Sequence, residues 1–168
     1  TGSKSKKAIV DGFVVRLNEF NEIFENLKRT SSFSNKQHYL IIGQRGAGKT
    51  SLMHRLNYAV EDEDSLSQKV YPIIFTEEQY FLSELVNLWE NIGNHLEDQF
   101  GWENITDQIS KIIAEDKDYE IKVYNFICKK LADNRRSLIL FIENLNVFFN
   151  KLDDRELNRI KHILANDS

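Results

Sequence analysis

Apolar residues recur at helical spacing along much of the chain. Between Asp11 and Leu27 they fall at Leu17, Phe20, Ile23, Phe24 and Leu27, which predicts one buried helix face. Residues 28–36 are polar and rich in Ser, Thr and Asn, so they read as a loop. Tyr39 to Ile42 is a short apolar run of strand type that ends on Gly43. Leu52, Leu56 and Tyr58 to Val60 predict a helix over residues 49–60, and Glu61 to Asp64 an acidic, solvated turn. "VYPIIF", residues 70–75, predicts a second strand. Pro72 removes a ladder donor there and assigns the strand to an edge. Leu82, Leu85, Val86, Trp89, Ile92 and Leu96 share one face of a long helix. A shorter helix follows over residues 103–114. Another spans 119–132, with Tyr124, Ile127, Cys128 and Leu131 inward. Leu138 to Ile142 is continuously apolar, as expected of a parallel strand covered on both faces. A last helix carries Leu157, Ile160 and Leu164. Strands alternating with helices predict an α/β fold on a parallel sheet with right-handed crossovers.

Composition narrows the picture. The 168 residues suit one domain, 41% hydrophobic and 29% charged. Residues 1–11 read as a flexible lead-in or tag remnant, because the chain opens Thr1-Gly2-Ser3 without a methionine. Residues 12–168 then form the domain proper, read as a piece of a longer protein. The single cysteine, Cys128, excludes an internal disulfide framework and fits a buried thiol in the cytoplasm. No apolar run approaches the ~20 residues that span a bilayer. A net charge of −4 gives no general electrostatic case for nucleic acid or membrane.

The chemistry concentrates after the first predicted strand. Gly43-Gln44-Arg45-Gly46-Ala47-Gly48-Lys49-Thr50 matches G-x-x-x-x-G-K-[ST] at every specified position. Gly43 is expected to turn the chain off the strand. Gly46 and Gly48 allow the backbone to approach a phosphate without a Cβ clash. Successive amides then form an anion nest, and the helix that begins near Lys49 adds its N-terminal dipole. Lys49 is expected to reach the β- and γ-phosphates of ATP. The Thr50 hydroxyl is expected to coordinate Mg2+, and Ser51 continues the helix start. Arg45 reads as solvent-facing, although it belongs to the loop.

A carboxylate at a second strand end commonly holds such a metal through water. "SLILFIE" places Glu143 in that position. "LILFIENLNVF" resembles the Walker B segment of AAA+ ATPases, especially the origin-recognition branch and the related STAND-type signalling ATPases. "FVVRLNEFNEIFENL", residues 13–27, is similar to that branch's "GRxxEL" helix, matched by Arg16 and Glu19. The resemblance implies a three-layer αβα P-loop sheet, and it places the Arg16 segment beside the nucleotide base. It also implies that Glu143 binds Mg2+ through water.

This chain departs from the pattern at the catalytic position. Asn144 stands where the resemblance implies the glutamate that polarises the attacking water. An amide cannot take up that proton, although it can orient a water. Glu77 and Glu78 read as solvated helix-start acids, with a substitute base as the alternative. Two functions stay open. One is an AAA+ type ATPase module that drives a conformational change in a partner. The other is a non-hydrolysing, ATP-dependent switch. "SNKQ" at residues 34–37 lacks the Asp of the N-K-x-D motif, which disfavours a GTPase. The sequence shows three strands where the resemblance implies five core strands, and none of its sensor strand, finger or lid. An incomplete sheet edge predicts an oligomer or a protein partner. DNA enters as a partner through the resemblance alone.

Overall fold

A computed structural model describes residues 6–14, 16–29, 38–76 and 84–165. Of the predicted loop at 28–36, Lys28 and Arg29 belong to a helix, and residues 30–36 lie outside the described residues, as do the "SNKQ" segment, Glu77, Glu78 and Leu82. The chain forms two compact units. The first is Thr1–Ile74 with Arg135–Phe141, and the second is Phe75–Asn134 with Ile142–Ser168.

The first unit is built on helices α1 (Lys6–Asp11), α2 (Leu17–Arg29), α3 (Lys49–Asp62) and α4 (Asp64–Ser67). Residues 6–11, part of the predicted lead-in, pack as α1 against α3. Lys6 Nζ bonds Asp62 there at 2.6 Å. The periodic face of α2 buries Phe20 and Ile23 with Phe13 against Leu52, Leu56 and Ala59 of α3. Phe24, Leu27, Ile41 and Phe141 close around this cluster. The rings of Phe13 and Phe20 meet edge-on at 5.8 Å, and those of Phe20 and Phe24 stack at 5.6 Å. The Arg55 guanidinium lies over the Phe20 ring, 4.6 Å from its centroid. Aromatic pairs of this geometry add to the burial of their surface.

The sheet corrects the predicted fold class. Among the described residues it has two strands, β1 (Val70–Phe75) and β2 (Ser137–Ile142). Ser137 N donates to Lys69 O at 2.7 Å, and Glu143 N to Phe75 O at 2.9 Å. The sequence offset between partners is the same at both ends, so the strands run parallel. A three-layer αβα P-loop sheet is not formed among the described residues. Residues 39–42, the predicted first strand, are irregular backbone, with Leu40 71% and Ile42 77% exposed. An apolar run becomes a strand only where another strand shares its ladder, and β2 is laddered to β1. β2 itself was expected to be covered on both faces. None of its residues is fully buried, and Leu140 is 37% exposed. The edge position expected from Pro72 fits a sheet of two strands.

The second unit is helical: α5 (Leu85–Phe100), α6 (Ile105–Glu115), α7 (Tyr119–Asp133), α8 (Leu145–Phe149) and α9 (Asp154–Ala165). α5 packs on α6, α6 on α7, and α7 on α9. Leu85, Ile92, Leu96, Ile105, Ile109 and Val123 are the most deeply buried apolar side chains of these helices. Leu85, Ile92 and Leu96 sit on the predicted face of α5, whereas on α7 Val123 is buried in place of the expected Tyr124, and on α9 Ile163 is buried while Leu164, expected inward, is exposed. Cys128 departs from the expectation: it is half-buried, because the buried face of α7 runs through Val123, Ile127 and Leu131.

α9 starts with a reciprocal capping box. Glu156 N donates to Asp153 Oδ1 at 2.7 Å, and Asp153 N to Glu156 Oε2 at 3.1 Å. The second carboxylate oxygen of Glu156 accepts from Leu85 N at the start of α5, at 3.4 Å. One side chain therefore serves two helix N-termini. Beside it Glu120 is fully buried and accepts from Arg155 Nη2 at 3.4 Å. Glu120 Oε2 and Trp89 Nε1 are buried without a hydrogen-bond partner. Burial, with the nearby carboxylates of Glu120 and Glu156, pushes the Tyr119 phenol up to about 12.

His95 on α5 stands edge-on to Phe75, ring centroids 6.1 Å apart. Burial holds its pKa below the usual imidazole value, and the Asp98 carboxylate opposes this only in part. The folded state therefore takes up a proton less readily than the unfolded chain. The resulting stability is present above the unfolded pKa of about 6.5 and is lost as the pH falls below it. Thermal melts between pH 7 and pH 5 are expected to drop more steeply for the wild type than for His95→Gln.

Candidate functional site

The predicted phosphate loop lies in the first unit, between irregular residues 38–42 and α3. Gly43 to Gly46 and Thr50 are exposed, and Ala47 to Lys49 are half-buried. Gly46 has φ 81° and Gly48 φ 75°, both in the left-handed region that glycine adopts without a Cβ penalty. Ala47 between them is not in that region. Left-handed residues on either side of one outside that region are the kind of backbone from which an anion nest is built. Ala47 N closes a tight turn onto Gln44 O at 3.2 Å. Gly48 is the N-cap of α3, and Leu52 N makes the first helical bond back to Gly48 O at 2.9 Å. No acidic residue occupies the first turn of α3. An anion at this end of the helix would therefore meet the dipole and the ammonium without a competing carboxylate.

Lys49 is folded over the loop. Its Nζ donates to Gly43 O at 2.7 Å and to Gln44 O at 2.9 Å. The cation is thereby held at the loop rather than swung into solvent, where three-donor geometry leaves it able to take a phosphate oxygen. Arg45 is exposed, as expected of a solvent-facing residue. Ser51 is exposed on the first turn of α3. Gly43 does not have a positive φ. A Cβ at position 43 would meet Arg16 Nη2 at 2.7 Å, so a side chain there has to displace the guanidinium.

Arg16 is the residue whose placement the sequence could not supply. Its backbone has φ 56°, and its carbonyl accepts from Phe20 N at 2.9 Å, which starts α2. Its Nε donates to Ala47 O at 2.6 Å, and Nη1 contacts Glu19 Oε1 at 3.3 Å. The resemblance pairs Arg16 with Glu19 and assigns them to the nucleotide. The structure joins Arg16 to the loop itself.

No family model matches the chain, and neither the curated proteins nor the solved structures give a match.

Glu143 and Asn144 belong to the second unit. Glu143 directly follows β2, and its amide closes the ladder onto Phe75 O. Asn144 has φ 50° and is the N-cap of the short helix α8. Its carbonyl accepts from Val147 N at 2.8 Å and Phe148 N at 3.3 Å. Asparagine enters the left-handed region more readily than glutamate does, so the turn from β2 into α8 itself favours an amide at this position. Among the described residues no three or more His, Cys, Asp or Glu side chains converge as a metal cage. Mg2+ carried on a triphosphate needs none, since waters and phosphate oxygens fill most of its shell. No helix among the described residues is long and apolar enough to cross a membrane.

Proposed function

We propose that residues 43–51 bind ATP with Mg2+, and that the chain acts as an AAA+ type ATPase module that drives a conformational change in a protein partner. One observation carries the reading. An exposed turn with two left-handed glycines leads directly into a 14-residue helix, and the Lys49 ammonium is folded over its carbonyls. Main-chain amides would hold the phosphates, Lys49 would neutralise their charge, and the Thr50 hydroxyl would meet the metal. Mg2+ would supply charge neutralisation across the phosphates when bound. The ATP-binding part of the reading rests on this loop alone. Exposed Val14, Leu17, Tyr39, Leu40 and Ile42 in the same unit support a protein partner or self-association. The half-buried single thiol is compatible with a reduced, cytoplasmic setting.

A second reading is favoured by Asn144. With an amide at the position of the expected base, held there by the backbone turn into α8, ATP would act as a ligand that switches assembly without being hydrolysed. Calorimetry with ATP and Mg2+ tests the shared claim: micromolar binding is expected, and no heat with any purine triphosphate would reject it. Phosphate release under saturating ATP then separates the readings. Turnover that Lys49→Ala abolishes supports the ATPase, and binding without turnover supports the switch.

A further inference from the structure

We propose that Arg16 is a positioning residue for the phosphate loop, acting on the main chain of Ala47 and Gly48 rather than on the nucleoside. The proposal rests on the reading that this loop takes a polyphosphate. Three observations converge on it. Arg16 Nε donates to Ala47 O at 2.6 Å, across 31 residues of sequence. Its Nη2 lies so close to Gly43 that a Cβ there would meet it at 2.7 Å and displace the guanidinium. Its own backbone sits at φ 56°, a region that costs a non-glycine residue stability unless the surroundings hold it there.

The guanidinium thus spans the loop from its first residue to its fifth. The consequence follows from peptide geometry. The Ala47 carbonyl and the Gly48 N–H share one trans peptide plane and point in opposite directions. Fixing the carbonyl on Arg16 fixes the N–H toward the other side of the plane. In an αR–αL nest that side is where the anion lies. A loop without this contact retains its glycines and Lys49, but the Ala47–Gly48 peptide is free to rotate. An amide that must be reoriented on binding contributes less affinity than one already aimed. Lys49 braces the same loop through the carbonyls of Gly43 and Gln44. Together the two cations fix three of its carbonyls.

The test uses Arg16→Met, Arg16→Lys and Gly43→Ala, with ATP and inorganic triphosphate titrated in parallel. Inorganic triphosphate has no base or ribose, so it reports on the loop alone. Arg16→Met is expected to weaken both ligands by the same factor, on the order of tenfold. Arg16→Lys, which keeps one donor, is expected to recover part of that loss. Gly43→Ala displaces the guanidinium while leaving Arg16 in place and is expected to reproduce the common loss; it also serves if Arg16→Met does not fold. Loss of ATP binding with inorganic triphosphate unchanged would overturn the proposal, because Arg16 would then be touching the nucleoside. Unchanged affinity for both ligands would overturn it as well. Failure of the wild type to bind either ligand would instead overturn the nucleotide reading, which separates the two claims.

Discussion

Lys49→Ala is expected to weaken ATP binding at least ~100-fold while leaving the fold intact. A hydrogen bond to a charged group contributes roughly 1.5–3 kcal/mol, and Lys49 offers a phosphate both its charge and its donors. Loss of about 3 kcal/mol corresponds to about two orders of magnitude in affinity. The side chain lies in an exposed loop setting, bonded to two carbonyls that water can also satisfy. Alanine is a good residue for the first position of α3. The melting temperature is therefore expected to stay close to that of the wild type. Calorimetry paired with a thermal melt checks both halves. Unchanged affinity in a folded Lys49→Ala protein would remove this ammonium from the site.

The second large effect is on stability. Leu56 is 1% exposed and sits in the cluster formed by Phe13, Phe20, Ile23, Leu52 and Ala59. Leu56→Ala is expected to cost about 3 kcal/mol, from lost transfer energy and from the cavity left between α2 and α3. For a chain of this size that corresponds to a fall of roughly 10 °C in Tm. Leu40→Ala is the informative companion. A leucine in a buried first strand would cost a similar amount. At 71% exposure on irregular backbone it is expected to change stability by less than about 0.5 kcal/mol. Denaturant titration of the two variants side by side checks the placement of residues 39–42. A large loss for Leu40→Ala would restore the strand.

The helices were legible because their evidence is local. Leu52 and Leu56, or Ile92 and Leu96, lie one turn apart, and the buried stripe they form can be counted without knowing what covers it. The capping box Asp153–Glu156 is equally local, an acid three residues before a glutamate, yet it was not read from the sequence and became visible in the structure. The strands behaved differently. Tyr39–Ile42 and Leu138–Ile142 look alike as apolar runs, yet only the second has a ladder partner. That partner, β1, lies more than 60 residues away in sequence, and no property of the run itself names it.

The candidate site divides in the same way. The order of glycines, Lys49 and Thr50 is written in consecutive residues, because a nest and a helix start are made from consecutive amides. The bond of Arg16 to Ala47, and its close approach to Gly43, are contacts across about thirty residues. Residue type suggested an arginine of interest, and only packing decided which atoms it meets. The amino-acid sequence by itself thus determined where most of the helices lie and the order of glycines, Lys49 and Thr50 in the loop, since both arise from neighbours along the chain. Tertiary structure alone decided which apolar run entered the sheet, how exposed Cys128 is, and what holds the loop, since each depends on groups brought together only by folding.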